Sequence, residues 1–186
     1  NIRTEDNQCK FRIKIDAQPG VGWNLGERDR FTVGRFSPET RDGGQEIFCR
    51  NDTSSTLLTQ RQAQWLARAG HHTEMDGWQF GQKAYELSAD LDGDGLDELY
   101  IRNRDTAGVF KWQGTAFKAV TIQQRAIDAW DLGPLNWEFK ADIDGDGHDE
   151  ICIRAPQWLG IIKLTDNRLD LISIQHGPID GFPLEE

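Results

Sequence analysis

The sequence contains no run approaching the about 18 consecutive apolar residues that a membrane-spanning helix requires, so no membrane span is expected. It has no basic patch either. Lys and Arg number 21 against 31 Asp and Glu, a net charge of −10, which argues against a nucleic-acid partner. Cysteine is scarce and odd in number, and Cys9, Cys49 and Cys152 make no paired disulfide framework. Cys49 and Cys152 fall inside predicted strands and read as small buried hydrophobes, while a Cys9–Cys49 bridge is open only to an oxidising compartment. No signal-peptide pattern stands at Asn1, which fits a mature or trimmed chain. Catalytic motifs are missing too: there is no Gly-x-Ser-x-Gly, no His-Glu-x-x-His and no patterned Cys–His pair. The expectation is therefore a protein that is not an enzyme, with one route left open, a glycosidase-type carboxylate pair drawn from distant positions.

The acids present are concentrated in two places. Asp90-Leu91-Asp92-Gly93-Asp94-Gly95-Leu96-Asp97-Glu98 is matched 52 residues later by Asp142-Ile143-Asp144-Gly145-Asp146-Gly147-His148-Asp149-Glu150. The two loops hold ten acids; the remaining 21 equal the 21 Lys and Arg, so the entire net charge resides in these loops. Five like charges in nine residues repel strongly without a counter-ion. Oxygen-rich loops suit hard cations, and calcium takes about six to eight oxygens at roughly 2.3–2.6 Å. The expected ligands are Asp90, Asp92, Asp94, the Leu96 carbonyl and Glu98, then Asp142, Asp144, Asp146, the His148 carbonyl and Glu150: two calcium ions. The alternative is a pair of polar hairpin turns rich in Asp and Gly. An EF-hand does not fit, because it needs a bidentate Glu at loop position 12, where this chain has Ile101 and Ile153, and flanking helices. Leu99–Ile101 and Ile151–Ile153 are short apolar runs of strand character.

The 52-residue spacing extends beyond the loops. Glu46-Ile47-Phe48-Cys49-Arg50 aligns with Glu98-Leu99-Tyr100-Ile101-Arg102 and with Glu150-Ile151-Cys152-Ile153-Arg154. Thr56-Leu57-Leu58-Thr59 aligns with Gly108-Val109-Phe110-Lys111 and Gly160-Ile161-Ile162-Lys163. A Trp-x-apolar-Gly motif opens each unit, at Trp23-Asn24-Leu25-Gly26, Trp78-Gln79-Phe80-Gly81 and Trp130-Asp131-Leu132-Gly133, and Phe182 stands where the next Trp would fall.

The chain thus divides into an N-terminal segment, 1–22, and three units, 23–77, 78–129 and 130–186, the last including a C-terminal tail. Phe11–Ile15 reads as the outer strand of an incomplete unit. In the second unit the four expected strands are Ala84–Ala89, Glu98–Asn103, Val109–Trp112 and Phe117–Ile122. In the first unit the loop from Pro38 to Glu46 is degenerate, keeping Asp42 and Glu46 as acids, and no tight metal is expected there. Arg61–Ala69 reads as a helical turn or an outer strand, the repeat favouring a strand at Trp65–Ala67, and His71-His72 fall in the loop that follows.

Four-stranded units of this length repeating in register suggest a β-propeller. The Asp-x-Asp-Gly-Asp-Gly-x-Asp-Glu loops, each followed by a strand, resemble FG-GAP repeats, the integrin α-type repeats also found in VCBS-like bacterial proteins and some propeller lectins. The resemblance covers 78–181 fully and 23–77 in part. It implies an all-β, partial β-propeller of about three four-stranded blades, with calcium loops between strands one and two, and it places the family's metal ligands on the ten residues named above. Three blades do not close a ring, since propellers typically have about four to eight. The expected partners are therefore the remainder of a longer propeller or further copies of the chain in a homo-oligomer.

Six of the seven tryptophans fall into two groups. The Trp that opens each unit reads as a packing wedge or as a sugar-stacking face. Trp158, Trp112 and Trp137 have no Trp at matching positions and are the candidate ligand-binding residues. Arg50, Arg102 and Arg154 recur at one position, to bind a ligand or to pair with acids between blades. Together these features suggest an extracellular or secreted, non-catalytic, lectin-like recognition module binding glycan or protein. The alternative is an accessory or structural segment of a larger secreted enzyme or toxin.

Overall fold

The computed structural model describes residues 4–5, 8–9, 29–40, 44–62, 64–80, 84–133 and 137–178. Among them the structure is all-β, interrupted by one 3-10 turn at Pro38–Thr40. No helix among the described residues is long and apolar enough to cross a membrane. The predicted strand at Phe11–Ile15, the first Trp motif at Trp23, Asp42 and Phe182 lie outside the described residues.

A short ladder of β1 (Thr4–Glu5) and β2 (Gln8–Cys9) comes first. Three four-stranded antiparallel sheets follow, each laid down in chain order. The first sheet contains β3 (Arg30–Gly34), β4 (Glu46–Arg50), β5 (Ser54–Arg61) and β6 (Gln64–His72). A ladder of β7 (Glu74–Met75) and β8 (Trp78–Gln79) leads on. The second sheet contains β9 (Tyr85–Ala89), β10 (Glu98–Arg102), β11 (Thr106–Trp112) and β12 (Phe117–Gln124). After a second ladder, β13 (Ala126–Ile127) and β14 (Trp130–Asp131), come β15 (Trp137–Ala141), β16 (Glu150–Ala155), β17 (Trp158–Thr165) and β18 (Arg168–His176). In the first unit β6 is a strand rather than a helical turn, and His71 and His72 close it instead of lying in a loop. Neighbours in a strand point to opposite faces, so these two imidazoles cannot serve one metal together.

The sheets stack face to face. On β10, Leu99 and Ile101 turn toward the first sheet and pack with Phe36, Phe48, Leu57, Phe110 and Phe117. Tyr100, between them, turns the other way and packs with Val109, Ile151, Ile153 and Ile162 at the third sheet. Every residue of β10 is buried, which is why its sequence reads as an unbroken apolar run rather than an alternating one. Each side of the middle sheet contributes about 25 cal/mol per Å² of apolar surface removed from water.

The recurring Trp is the wedge. Trp78 and Trp130 are buried, and each lies over a glycine of its sheet's third strand. A Cβ on Gly160 would come within 2.8 Å of the Trp130 ring, and one on Gly108 within 3.2 Å of the Trp78 ring. Asp76 and Asp128, in the turns before these tryptophans, take positive φ of 46° and 50°, which Asp tolerates better than most residues. Asp76 Oδ2 accepts the Ala119 N–H at 2.8 Å, and Asp128 Oδ2 accepts that of Leu171 at 2.8 Å. The register of the outer strand pair shifts beside these anchors, between Val109 and Phe110 and between Ile161 and Ile162.

The recurring Arg is a latch between sheets. Arg50 of β4 pairs with Glu86 of β9, and Arg102 of β10 pairs with Glu138 of β15, the second pair with both side chains fully buried. Cys49 and Cys152 are buried and carry free thiols, and the Cys9 side chain lies outside the described residues. Burial pushes both thiols up from their ordinary range.

Candidate metal centre

Both acidic loops join the first and second strands of a sheet, and both fold the same way. In the first, Asp90 Oδ2 accepts the Gly95 N–H at 2.9 Å, Asp92 Oδ1 that of Asp94 at 3.2 Å, and Asp94 Oδ1 that of Leu96 at 2.8 Å. In the second, Asp142 Oδ2 accepts the Gly147 N–H at 3.1 Å, Asp144 Oδ1 that of Asp146 at 3.2 Å, and Asp146 Oδ1 that of His148 at 2.9 Å. Aspartate reaching two residues forward is the local logic of such turns. In Asp92, Asp94, Asp144 and Asp146 it leaves Oδ2 to meet positive charge, whereas Asp142 also accepts the Gly145 N–H at Oδ1, at 2.7 Å. Gly93 and Gly95 take φ of 72° and 86°, which glycine adopts without steric cost.

The structure brings Asp90, Asp92 and Asp94 together with carboxylate oxygens within 4.8 Å of one another, and does the same with Asp142, Asp144 and Asp146. Glu98 and Glu150 begin β10 and β16 and are fully buried beneath these triads. Glu98 Oε2 accepts the Leu91 N–H at 2.9 Å, and Glu150 Oε2 that of Ile143 at 2.8 Å. The remaining oxygen of each, Oε1, is buried and takes no backbone N–H, and Asp90 Oδ1 is buried without a hydrogen-bond donor. Burying such oxygens is costly unless a positive charge faces them. Burial, reinforced by the Asp92 charge, pushes the Glu98 carboxyl up to about 7. The donor set is all carboxylate and carbonyl oxygen, the chemistry of hard cations, and the buried Glu oxygens show where positive charge is wanted. The residues fit such an ion.

Two lysines answer that demand from within the chain. Lys111 of β11 contacts Asp92, with Nζ 3.2 Å from Asp94 and 3.1 Å from Glu98 Oε1. Lys163 of β17 stands in the same place of the next sheet, 3.0 Å from Asp144, 2.7 Å from Asp146 and 2.9 Å from Glu150 Oε1. Bonds to Asp146, Glu150 and Asp144 hold the Lys163 ammonium above the ordinary lysine range, and the bonds from Lys163 and the His148 N–H hold the Asp146 carboxyl down at about 2. At Lys111, burial opposes the charge, but Asp92, Glu98 and Asp94 overcome it and its proton is held more tightly too. Sequence reasoning about the loops alone missed both residues. Their signal was the recurrence of Lys at matched positions 52 residues apart on the third strand.

The first sheet's loop has a different counter-ion. Arg35 stands where the other loops begin with Asp, and Arg68 of β6 bonds Glu39 at 2.9 and 3.0 Å and Glu46 at 3.4 Å. Arg68 also lies over the Trp112 ring, 5.4 Å from its centroid. Hydrogen bonds from Arg68 and Ser37 hold the Glu39 carboxyl down at about 2.

Asp97 and Asp149, the eighth residues of the loops, do not turn inward. Asp97 Oδ2 accepts the Arg35 N–H at 2.6 Å while its own N–H donates to the Arg35 carbonyl at 2.8 Å. Asp149 makes the same reciprocal pair with Asp90, at 3.0 and 2.8 Å. The His148 side chain lies against Gly93, where a Cβ would come within 2.4 Å of its Nε2. The two acidic loops are therefore clasped to each other.

Of the three candidate ligand-binding tryptophans, Trp137 is 78% exposed and Trp158 is 40% exposed, its ring 4.2 Å from that of His176. Trp112 is a correction. It is 5% exposed, packed edge-on against Phe117 and covered by Arg68, and so offers no face to a ligand.

No protein-family model matches the chain, and no curated protein matches it. Among solved structures, a chain of the Photorhabdus luminescens Tc holotoxin pore is similar over 88% of this chain, with 15% identity and a TM-score of 0.49. The match spans 8% of that chain's length.

Proposed function

We propose that the chain is a non-catalytic, calcium-stabilised module in which each four-stranded sheet is a propeller-type blade, and that it presents recognition surfaces for glycan or protein outside the cell. One observation carries this reading: the same cation cradle is built twice, with three aspartates over a fully buried glutamate whose inner oxygen is turned to a positive charge. Asp90, Asp92, Asp94 and Glu98 hold one ion, and Asp142, Asp144, Asp146 and Glu150 the other, with the Leu96 and His148 carbonyls completing each set. A bound divalent ion supplies charge neutralisation, not reaction chemistry. The protein's part is to fix the ends of the first and second strands, with Glu98 and Glu150 buried beneath the aspartates. Weak calcium loops suit an extracellular setting, where that ion is plentiful. Trp137 and Trp158 are the exposed aromatic faces for a ligand.

Calcium titration by calorimetry and native mass spectrometry tests the reading. Two ions per chain are expected, one remaining in Glu150→Gln, with a rise in melting temperature corresponding to about 2.7 kcal/mol per site at a hundredfold excess over Kd. No uptake at millimolar calcium would refute it.

A second reading, a segment of a larger assembly, is favoured by the outer face of the third sheet. Glu138 points inward to Arg102, so Trp137 and Phe139 point outward by strand alternation. They are 78% and 50% exposed, while Tyr85 and Leu87, at the matching places of the second sheet, are partly covered. A further blade, from the same chain or another copy, would cover them.

A further inference from the structure

We infer that Lys111 and Lys163 are tethered competitors for the cation sites: each ammonium occupies its loop when divalent ions are scarce and must leave for one to bind. This rests on the calcium reading above and names how that site is regulated.

The argument begins with position. Lys163 Nζ lies within 3.0 Å of Asp144, Asp146 and Glu150 together, and these are three of the carboxylates assigned to the ion. Lys111 Nζ is placed identically among Asp92, Asp94 and Glu98. An ammonium has three donors and no acceptor, and here each of the two faces three carboxylates. The buried Oε1 atoms of Glu98 and Glu150 each meet the lysine, at 3.1 and 2.9 Å. One positive charge and one divalent ion cannot share that oxygen at such range, because like charges a few Å apart in a partly dry site repel by several kcal/mol.

Next comes reach. Lys111 and Lys163 side chains keep 26% and 17% of their surface in solvent, and a flexible four-carbon stem lets the head swing outward without moving its strand. The first sheet shows the locked version of the same device. Arg68 forks across Glu39, touches Glu46 and stacks on Trp112, so its planar head is fixed from two directions. The three loops thus form a series, from a fixed guanidinium to two displaceable ammoniums. Each ammonium offsets part of its loop's charge without calcium, at the expense of calcium affinity.

Calcium titration of this chain carrying Lys163→Gln and, separately, Lys163→Arg tests the inference, with calcium alone as probe and melting temperature in chelator as a second readout. Lys163→Gln should tighten the second loop by about tenfold or more, the equivalent of about 1.4 kcal/mol of relieved competition, and should melt lower in chelator. Lys163→Arg keeps the charge and the fold, and should weaken that loop by a similar factor. Unchanged or weaker binding in Lys163→Gln overturns the inference and leaves the calcium reading standing. Absence of calcium binding in the parent chain and in both variants overturns the two together.

Discussion

Replacing Glu138 by Gln keeps its shape and removes its charge, leaving the Arg102 guanidinium buried with nothing opposite it. Both side chains are fully buried, one on β10 and the other on β15, so the pair joins the second sheet to the third. Breaking a buried pair from one side typically costs about 3–5 kcal/mol, because the survivor keeps its desolvation cost and loses its partner. For a chain of this size each kcal/mol lowers the melting temperature by about 2–4 °C, so Glu138→Gln should melt roughly 6–20 °C lower. Urea unfolding followed by tryptophan fluorescence measures the loss directly, with an unchanged slope confirming that the two end states are the same. The double variant Arg102→Met/Glu138→Leu removes both charges, and should recover most or all of the stability, since apolar replacement of a buried pair is often neutral or better. The first-to-second sheet pair, Arg50–Glu86, provides an internal replicate. A loss under about 1 kcal/mol in Glu138→Gln, the scale of exposed ion pairs, would refute the latch. So would a double variant no more stable than the single one.

Gly160→Ala should destabilise by about 1–3 kcal/mol, the usual cost of overpacking, because the new methyl meets the Trp130 ring; thermal melts with near-UV circular dichroism report both the loss and the ring's displacement. The Glu39 carboxyl, held at about 2 by Arg68 and Ser37, binds fewer protons in the fold than in the unfolded chain. Its contribution is therefore complete above about 4.5 and lost as pH falls toward about 2. Stability measured across that window in Glu39→Gln should decline less with acid than in the parent chain, and identical slopes would show that the carboxylate carries none of the effect.

Strand existence was legible because each unit's inner strands are buried on both faces and written as compact apolar runs, as in Leu99-Tyr100-Ile101. Their ends were less so. The third strand begins at Thr106 rather than Val109, since Ala107 and Gly108 look like turn residues and are instead small because Trp78 lies over Gly108. The wedge tryptophans and the pairing of the recurrent arginines with acids on the next sheet followed from the repeat. Trp112 was misread because its register is unmatched, yet its burial comes from Phe117 and from Arg68, whose side chain reaches in from the preceding sheet. The loop lysines escaped notice for a related reason. A side chain on the third strand meets a loop between the first and second only once the sheet has folded, and no local pattern encodes that meeting.

The middle sheet has another sheet packed on each face, whereas the third carries the exposed Trp137 and Phe139 on its outer face, and this gives the protein a gradient of opening. Stacked units of this kind depend on nearest neighbours, so an outer one can detach while the rest holds. Amide protons on β10 and β11 should exchange only when the whole molecule unfolds, whereas β18, most of whose last residues are exposed, should release its protons early through local fraying. The order in which deuterium enters the strands would then give the sequence in which the sheets come apart, from the third sheet's outer edge inward.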